Sequence, residues 1–274
     1  MKHERDGESA DGRRRIVCVV GTRPEAIKMA PVIEALRRES WAYPYVLLTA
    51  QHREMLDQVM QLFGIRADDD LDVMRPDQQL AALTAQLITG LDTALERARP
   101  DAVLAQGDTT SVLCAALVSF YRRVPFGHVE AGLRTGDLHY PFPEEANRVL
   151  ASRLTRWHFA PTATARANLL REGIDPTSIH VTGNTVIDAL LSVAPRARGI
   201  DLSFADGKRL VLMTAHRREN FGAPMEEVFT AVRELADRFA DLAVLYPVHP
   251  NPNVKEPAVR ILGGHPRIHL ASPL

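Results

Sequence analysis

Short apolar runs alternate with longer amphipathic stretches along most of the chain. Residues 16–20 form a continuous run rich in β-branched side chains, which is typical of a strand buried on both faces of a parallel sheet. Gly21 interrupts this run, and Pro24 stands where a helix can begin. Across residues 25–38 the apolar positions recur with helical spacing, which predicts a helix.

The same two patterns predict the remaining elements. The further predicted strands are residues 45–49, 71–74, 102–106, 126–130, 158–160, 179–182, 210–214, 243–247 and 268–271. The further predicted helices are residues 53–63, 80–97, 111–121, 144–154, 164–172, 186–193, 225–239 and 254–262. Strands that alternate with helices in this way form βαβ units around a parallel sheet. We therefore expect an α/β fold with Rossmann-like, doubly wound domains.

The pattern also predicts the domain organisation. Residues 194–206 lack periodicity and contain Pro, Gly and Asp, which indicates a linker between domains of residues 16–193 and 207–274. Residues 1–15 carry mixed charges without an apolar run, which predicts a disordered tail. The second domain has three predicted strands and falls about 100 residues short of an ordinary domain. We expect it to be incomplete, and the chain to be a fragment or a truncated product.

Composition narrows the function classes. The 274 residues include 33 Lys and Arg against 34 Asp and Glu, for a formal net charge of −1. A charge this close to zero argues against a protein that coats nucleic acid or an acidic membrane. No apolar stretch has the ~20 residues of a membrane span, and the amino terminus lacks the apolar segment of a secretory signal. Cys18 and Cys114 lie in apolar runs, which predicts buried free thiols in a reducing compartment, the cytoplasm.

Four unusual segments follow predicted strands, at the sheet edge where open α/β folds bind ligands. The first, residues 21–28, opens the first helix. Gly21 allows a tight turn, the helix start offers free N–H groups, and Arg23 and Lys28 add positive charge. An anion site is therefore favoured over a solvated capping turn. The segment is neither G-x-G-x-x-G nor a Walker loop, so NAD and ATP are poorly supported.

The second and third segments carry carboxylates. Asp108 follows a strand directly before a predicted helix, where a helix cap and a catalytic group are equally good interpretations. Glu130 ends an apolar strand, where an unpaired carboxylate is costly, and a long polar loop follows it. We favour a site role for Glu130 over a structural salt bridge. Glu145 lies in the first turn of the next helix, where an acidic residue also suits the helix dipole.

The fourth segment, residues 214–222, follows the first strand of the second domain. His216 stands there beside two arginines, and a ligand contact is favoured over a structural histidine. His249 follows another strand of this domain and gives a similar but weaker signal. The ten histidines are scattered without H-E-x-x-H or paired Cys-x-x-Cys, so no metal site is predicted. The residues thus predict a two-domain cleft that binds an anion and holds groups suited to proton transfer.

Eight stretches carry a resemblance to one family. They are, in order, GTRPEAIKMAPVI, TAQHREMLDQV, QGDTTSVL, GHVEAGLRTGDL, PFPEEANRVL, VTGNTVIDAL, HRRENFG and YPVHPNPNV. They closely resemble the bacterial non-hydrolysing UDP-N-acetylglucosamine 2-epimerases, from about residue 16 to the last residue. The resemblance implies a glycosyltransferase-B-like fold, with two Rossmann-like domains around a deep cleft.

The resemblance also implies a reaction, the interconversion of UDP-GlcNAc and UDP-ManNAc. UDP is eliminated to leave bound 2-acetamidoglucal and is then re-added with inverted configuration at C2, which supplies ManNAc for cell-envelope polysaccharide. The implied acid/base residues are Asp108, Glu130 and Glu144, with no assignment of the one that removes the C2 proton. His216 would assist the leaving phosphate, with Arg23 and Lys28 in the charged shell around the substrate.

Regulation and assembly follow from the same resemblance. The family is activated by its own substrate, UDP-GlcNAc, at a second site near the catalytic one. The implied residues of that site are Gln51, His52, Arg53, Glu54, Arg217 and His249. Homodimers are typical, and neither a redox cofactor nor a metal is implied.

Family members continue into a Ser-Gly-Gly loop and a helix-borne Glu that hold diphosphate and uridine, and this sequence lacks both. We therefore expect the chain alone to bind UDP poorly and to have little or no activity.

Three other functions fit the same sequence. An epimerase of a modified UDP-sugar, such as a diacetamido uronic acid, would share the motifs. A glycosyltransferase of the same fold would transfer the sugar to an acceptor, without solvent hydrogen entering C2. A non-catalytic fragment would bind a sugar nucleotide or a partner and leave it unchanged.

Overall fold

The computed structural model describes residues 12–49, 53–73, 78–196, 201–217 and 220–272, with the backbone alone described at residues 53–55. The chain divides into two compact units, Met1–Arg196 and Ala197–Leu274, which we call the amino-terminal and carboxyl-terminal units. In the described parts of both units, strands alternate with helices and all strand pairs are parallel. The predicted α/β class is therefore confirmed.

The amino-terminal unit is built on a seven-stranded sheet. Its strands are β1 (Arg14–Val20), β2 (Ala42–Leu48), β3 (Asp69–Asp70), β4 (Ala102–Gln106), β5 (Phe126–Val129), β6 (Trp157–Ala160) and β7 (Ile179–Val181). Its helices are α1 (Arg23–Arg38), α2 (Arg53–Leu62), α3 (Leu80–Ala98), α4 (Thr110–Tyr121), α5 (Glu144–Leu154), α6 (Ala163–Arg171) and α7 (Thr185–Val193). The strand order is β3-β2-β1-β4-β5-β6-β7, so β1, β4 and β5 are neighbours near the middle.

The sequence of strand β1 shows no alternation of apolar and polar residues, because both faces of the strand are covered by apolar side chains. Val17 and Val19 belong to the apolar cluster that includes Leu91 of α3. Cys18 and Val20 belong to a second cluster, which includes residues of α1 and α2. Because successive side chains of a strand point to opposite faces, a strand covered on both faces needs apolar residues at every position.

The carboxyl-terminal unit has a three-stranded sheet in its described part, in the order β10-β9-β8. Its strands are β8 (Arg209–Leu212), β9 (Leu242–Pro247) and β10 (Ile268–Ala271), and its helices are α8 (Ala223–Arg238) and α9 (Pro252–Leu262). Phe229 of α8 and Tyr246 of β9 are fully buried in its apolar cluster. Every residue of β8 is exposed, although three of its four side chains are apolar.

Two of the differences between predicted and observed boundaries have a clear physical reason. Strand β1 begins at Arg14, inside the predicted tail, because Asp101 accepts hydrogen bonds from the Arg14 side chain and the Arg15 backbone. The third strand lies at Asp69–Asp70 instead of residues 71–74, of which 74 is outside the described residues. Val73 is buried in the core outside the sheet, so its apolar character reflects packing and not a strand.

Cys18 and Cys114 are buried and unpaired, as predicted. Burial raises the pKa of the Cys18 thiol to about 12 and that of Cys114 to about 11, which makes both thiols poor nucleophiles. Among the helices that the structure describes, none is long and apolar enough to cross a membrane.

Candidate active site

The turn between β1 and α1 is closed by a reciprocal cap. Thr22 accepts a hydrogen bond from the Glu25 backbone N–H at 3.4 Å, and the Glu25 carboxylate accepts from the backbone N–H groups of Thr22, at 2.9 Å, and Gly21. Pro24 has no N–H to offer. The helix start therefore does not present the free set of N–H groups that the sequence predicts. Arg23 is exposed at this turn without a hydrogen bond or ion pair to any described residue.

Lys28 and Glu130 form an ion pair at the carboxyl ends of the central strands. The Lys28 Nζ donates to both Glu130 oxygens, at 2.7 and 2.8 Å. Asn184, the N-cap of α7, donates to Oε1 at 2.7 Å, and Gln106 at the end of β4 donates to Oε2. The Glu130 side chain is 10% exposed. The salt bridge, the less favoured of the two sequence-based interpretations of Glu130, is therefore present.

The backbone of Glu130 is in the left-handed region, with φ of 66°. This conformation is uncommon for a residue with a side chain and costs free energy that the surrounding structure must supply. Residues held in this way cluster at functional sites. The strain at the end of β5 therefore supports a functional interpretation of the Glu130 carboxylate.

Asp108 is not a helix cap. Thr109 caps α4 by accepting from the Val112 N–H at 3.4 Å, whereas Asp108 accepts from the Arg148 guanidinium of α5 at 2.6 Å. Asn147 of the same helix donates to the Asp108 carbonyl at 2.9 Å. Of the two interpretations left open for Asp108, the cap is therefore wrong. The carboxylate is oriented by a cation from α5.

The two glutamates that begin α5 have different surroundings. Glu145 is buried, accepts from the backbone N–H groups of Thr135 and Gly136 at 3.0 and 3.1 Å, and lies 3.3 Å from the Arg148 guanidinium. It fixes the loop after β5 and is more than a dipole partner. Glu144 is half-buried and has no hydrogen-bond or ion-pair partner among the described residues. Its spacing of four places it on the helix face of Arg148, the partner of Asp108.

Two buried titratable groups support the Asp108 turn. His128 of β5 donates from Nε2 to the Gly107 carbonyl at 2.7 Å, and burial lowers the pKa of its ring to about 4. The ring is therefore neutral at ordinary pH. Burial raises the pKa of Glu25 to about 7, although Thr109, Gly21 and Thr22 all donate hydrogen bonds to it.

The predicted site residues do not include Gln106, Asn184, Arg148, His128 or Glu25. Arg148 carries a recognisable signal, because it lies one helical turn after Glu144. Gln106 and Asn184 belong to strand-end segments, but their contact with Glu130 joins positions far apart in the chain. No local pattern predicts such a contact.

In the carboxyl-terminal unit, the structure brings His216 and His249 together. Their ring centroids lie 5.7 Å apart, in the loops that follow β8 and β9. Tyr246 donates to the Ala215 carbonyl at 2.7 Å and so holds the backbone before His216. Both histidines and Arg217 are exposed. The predicted leaving-group residue and a predicted regulatory residue are thus neighbours.

The remaining predicted regulatory residues are less defined. Gln51 and His52 lie outside the described residues. Arg53 and Glu54 form the start of α2, where the backbone alone is described. No group of three or more His, Cys, Asp or Glu residues in the described ranges is placed to hold a metal ion.

The two parallel sheets and the charged site at the strand ends define an α/β protein of the glycosyltransferase-B-like class. The sequence model of the UDP-N-acetylglucosamine 2-epimerase family matches residues 34–274. The epimerase of Yersinia pestis is 51% identical over 269 residues, which are 94% of this chain and 72% of that relative. The Escherichia coli K12 enzyme is 49% identical, with the same coverage.

Solved structures agree. The Neisseria meningitidis UDP-GlcNAc 2-epimerase bound to UDP-GlcNAc superposes with a TM-score of 0.86 at 45% identity, covering 95% of this chain and 72% of that one. The S. aureus MnaA–UDP co-structure gives a TM-score of 0.88 at 49% identity, covering 95% of this chain and 69% of that one. The chain belongs to the UDP-N-acetylglucosamine 2-epimerase family.

Proposed function

We propose that the chain acts on UDP-GlcNAc and interconverts it with UDP-ManNAc, by eliminating UDP and adding it back to bound 2-acetamidoglucal. The observation that carries the proposal is the pair of cation-bound carboxylates, Glu130 with Lys28 and Asp108 with Arg148, at the ends of neighbouring strands β5 and β4. Relatives solved with UDP or UDP-GlcNAc support this class of substrate.

The reaction requires groups that accept and return a proton at C2. In the forward direction a base takes the C2 hydrogen as a proton, the C1–O bond breaks, and UDP leaves with the bonding electrons. On return, UDP re-forms the C1–O bond and a proton reaches the opposite face of C2. Inversion therefore needs more than one acid/base group. Asp108, Glu130 and Glu144 are the candidates.

The surroundings of the three carboxylates differ, which suggests that they have different roles in the reaction. Lys28 and Arg148 form ion pairs with Glu130 and Asp108 and so fix the position of each carboxylate, which suits groups that accept a proton at a defined atom. Glu144 has no cationic partner in the described part of the chain and is half-buried. We assign to Glu144 the exchange of the proton with solvent. Glu130 and Asp108 then act at the sugar.

The leaving UDP is an anion, so positive charge near it lowers the energy of the elimination. Arg23 is exposed and has no charge partner among the described residues, which leaves its guanidinium available for phosphate. His216 is the second candidate, because a protonated imidazole next to the departing oxygen can donate a proton.

Isotope exchange tests the proposal directly. The full chain is incubated with UDP-GlcNAc in deuterium oxide for long enough to detect slow turnover, and the product is analysed by NMR. We expect UDP-ManNAc with deuterium at C2, formed slowly, in keeping with the low activity expected from the sequence. Glu144→Gln should abolish exchange, whereas Glu34→Gln, on the exposed face of α1, should leave it unchanged. Glycoside formation without exchange indicates a transferase, and binding of UDP-GlcNAc without reaction indicates a non-catalytic protein. Turnover of a diacetamido sugar alone indicates the modified substrate.

We also propose that UDP-GlcNAc activates the enzyme at a second site. The implied residues are Gln51, His52, Arg53, Glu54, Arg217 and His249. The contact between His216 and His249 supports communication between the two sites, because a ligand that moves one ring displaces its neighbour. Sigmoidal dependence of rate on UDP-GlcNAc, which becomes hyperbolic in His249→Ala, is the expected result. Hyperbolic kinetics in the unaltered chain contradict the proposal.

A homodimer in the cytoplasm completes the proposal. Phe120, Tyr121 and Leu150 are exposed on the adjacent helices α4 and α5, and exposed aromatic and aliphatic side chains are typical of an interface. The two buried free cysteines suit a reducing compartment. Analytical ultracentrifugation should give twice the chain mass of 30.4 kDa, and Tyr121→Glu should give the monomer mass.

A further inference from the structure

A buried polar cluster lies beneath the turn that carries Arg23. It consists of Glu25, Thr49, Thr109 and Ser111, and we call it the Glu25 cluster. Glu25, Thr49 and Ser111 are buried almost completely. A buried carboxylate is costly unless donors surround it, so its retention in a core position calls for a role that an apolar residue would not fill.

Glu25 connects two turns of the candidate site. Its Oε2 accepts the backbone N–H groups of Gly21 and Thr22 on the β1–α1 turn. Its Oε1 accepts the Thr109 hydroxyl, at 2.6 Å, on the β4–α4 turn. Thr109 directly follows Asp108. One carboxylate thus joins the turn that presents Arg23 to the turn that presents Asp108.

The packing around Gly21 shows how closely these turns approach. A Cβ atom at Gly21 would lie 2.7 Å from the Thr49 hydroxyl and 3.0 Å from both the Glu25 Oε2 and the Ser111 hydroxyl. Thr49 and Ser111 also hydrogen-bond to each other at 2.9 Å, which adds the end of β2 to the assembly. The backbone of the β1–α1 turn rests directly on the Glu25 cluster and has no room to shift toward it.

We propose that Glu25 is a positioning residue, which fixes the β1–α1 turn against the β4–α4 turn and so sets the spacing between Arg23 and Asp108. Precise spacing matters because displacing a catalytic or binding group by about 1 Å can cost about 100-fold in rate. The role of Arg23 and Asp108 in catalysis rests on the proposed function. The tether itself does not, and it can be measured without substrate.

The first test measures amide hydrogen exchange in the full chain without ligand. Glu25→Ala should raise the exchange rates of Gly21 and Thr22, and also of residues 110–112 at the start of α4, by about tenfold or more. Glu25→Gln should restore them, because its carbonyl can accept the two N–H groups while its amide donates to Thr109. Glu34→Ala on the exposed side of the same helix is the matched control and should change neither turn.

A second pair of variants tests the proposal even if the Glu25→Ala variant does not fold. Thr109→Val removes the hydroxyl, and Thr109→Ser keeps it. Thr109 has no hydrogen bond to Gly21 or Thr22, and Glu25 is the group that hydrogen-bonds to all three. We expect Thr109→Val to raise exchange at Gly21 and Thr22 about tenfold relative to the core amides of β1, and Thr109→Ser to match the unaltered chain.

Equal exchange at Gly21 and Thr22 in Thr109→Val and Thr109→Ser would overturn the proposal. So would Glu25→Gln exchanging as fast as Glu25→Ala. Loss of C2 deuterium incorporation in the isotope experiment, with the exchange pattern as expected, would refute the proposed function and leave the tether standing.

Discussion

The amino-terminal and carboxyl-terminal units follow the same strand-helix rule, yet they protect their sheets differently. In the amino-terminal unit the inner strand β1 has five consecutive buried residues, and apolar clusters cover both of its faces. In the described part of the carboxyl-terminal unit one apolar cluster lies around β9, and all four residues of β8 are exposed. Apolar sequence alone therefore does not ensure burial, because a strand face is buried only where other elements pack on it.

The candidate site residues of the two units also differ in exposure. The amino-terminal unit holds Lys28, Glu130, Arg148 and Glu145 with little exposure, each with a partner of opposite charge. In the carboxyl-terminal unit His216 and His249 are exposed. Burying a charge costs several kcal/mol, and it is sustained where the surrounding core is large and the partners are held in place. The difference between the units can be tested by single substitutions.

The largest effect is expected from the core of the smaller unit. Phe229→Ala removes a fully buried ring and should lower the free energy of unfolding of the carboxyl-terminal unit by about 3–5 kcal/mol. We expect its amides to lose protection from hydrogen exchange while β1 keeps its protection. Leu91→Ala, in the core of the amino-terminal unit, is the matched variant and should act on that unit. Loss of protection in both units together would show that they unfold as one.

The second-largest effect on the free energy of unfolding is expected from the buried ion pair of Lys28 and Glu130. Lys28→Met leaves the Glu130 carboxylate without its cation and should lower the free energy of unfolding of the amino-terminal unit by about 3 kcal/mol. Adding Glu130→Gln should recover most of the loss, as measured by urea denaturation. The exposed pair Arg209–Asp241 provides the control, and Arg209→Ala should have little effect. An equal loss in both single variants would contradict the distinction between the units.

The pH dependence of stability should reveal two opposing groups. The folded pKa of Glu25, about 7, lies above its usual 4.5, so its contribution to stability falls as pH rises from about 4.5 to about 7. The folded pKa of His128, about 4, lies below its usual 6.5, so its contribution rises from about pH 4 to about 6.5. Each slope is at most about 1.4 kcal/mol per pH unit, and the two largely offset.

Single variants separate the two slopes. Relative to the unaltered chain, the free energy of unfolding of Glu25→Gln should increase with pH across the Glu25 range, and that of His128→Gln should decrease across the His128 range. Urea denaturation at half-unit pH steps measures both. Parallel curves for the variants and the unaltered chain would show that neither group titrates between the folded and unfolded states as inferred.

The smallest effect is expected on β8. Leu212 is 67% exposed, so Leu212→Ser should change the free energy of unfolding by less than about 0.5 kcal/mol. Leu245, its partner in register on β9, is 7% exposed, and Leu245→Ser should cost much more. A large loss from Leu212→Ser would show that this side chain is covered in solution.

The sequence predicted most strands and helices close to their observed bounds, because hydrophobic periodicity is a local property. The helix predicted at residues 144–154 and the strand at 268–271 have the observed bounds. The strand predicted at residues 71–74 was wrong, since apolar residues can be buried without joining a sheet. The strand-end rule likewise predicted that Lys28, Glu130 and Asp108 lie at the carboxyl edge of the sheet, because chain order and parallel topology place them there.

Local pattern determined which residues form strands and helices and which side chains reach the carboxyl edge of the sheet, because backbone geometry fixes both over a few residues. Tertiary structure decided the partners. Glu130 meets Lys28, Asn184 and Gln106, and Glu25 meets Thr109, across separations that no periodicity spans. Which side chains donate hydrogen bonds to a buried carboxylate depends on how the strands are ordered and how the helices pack on them.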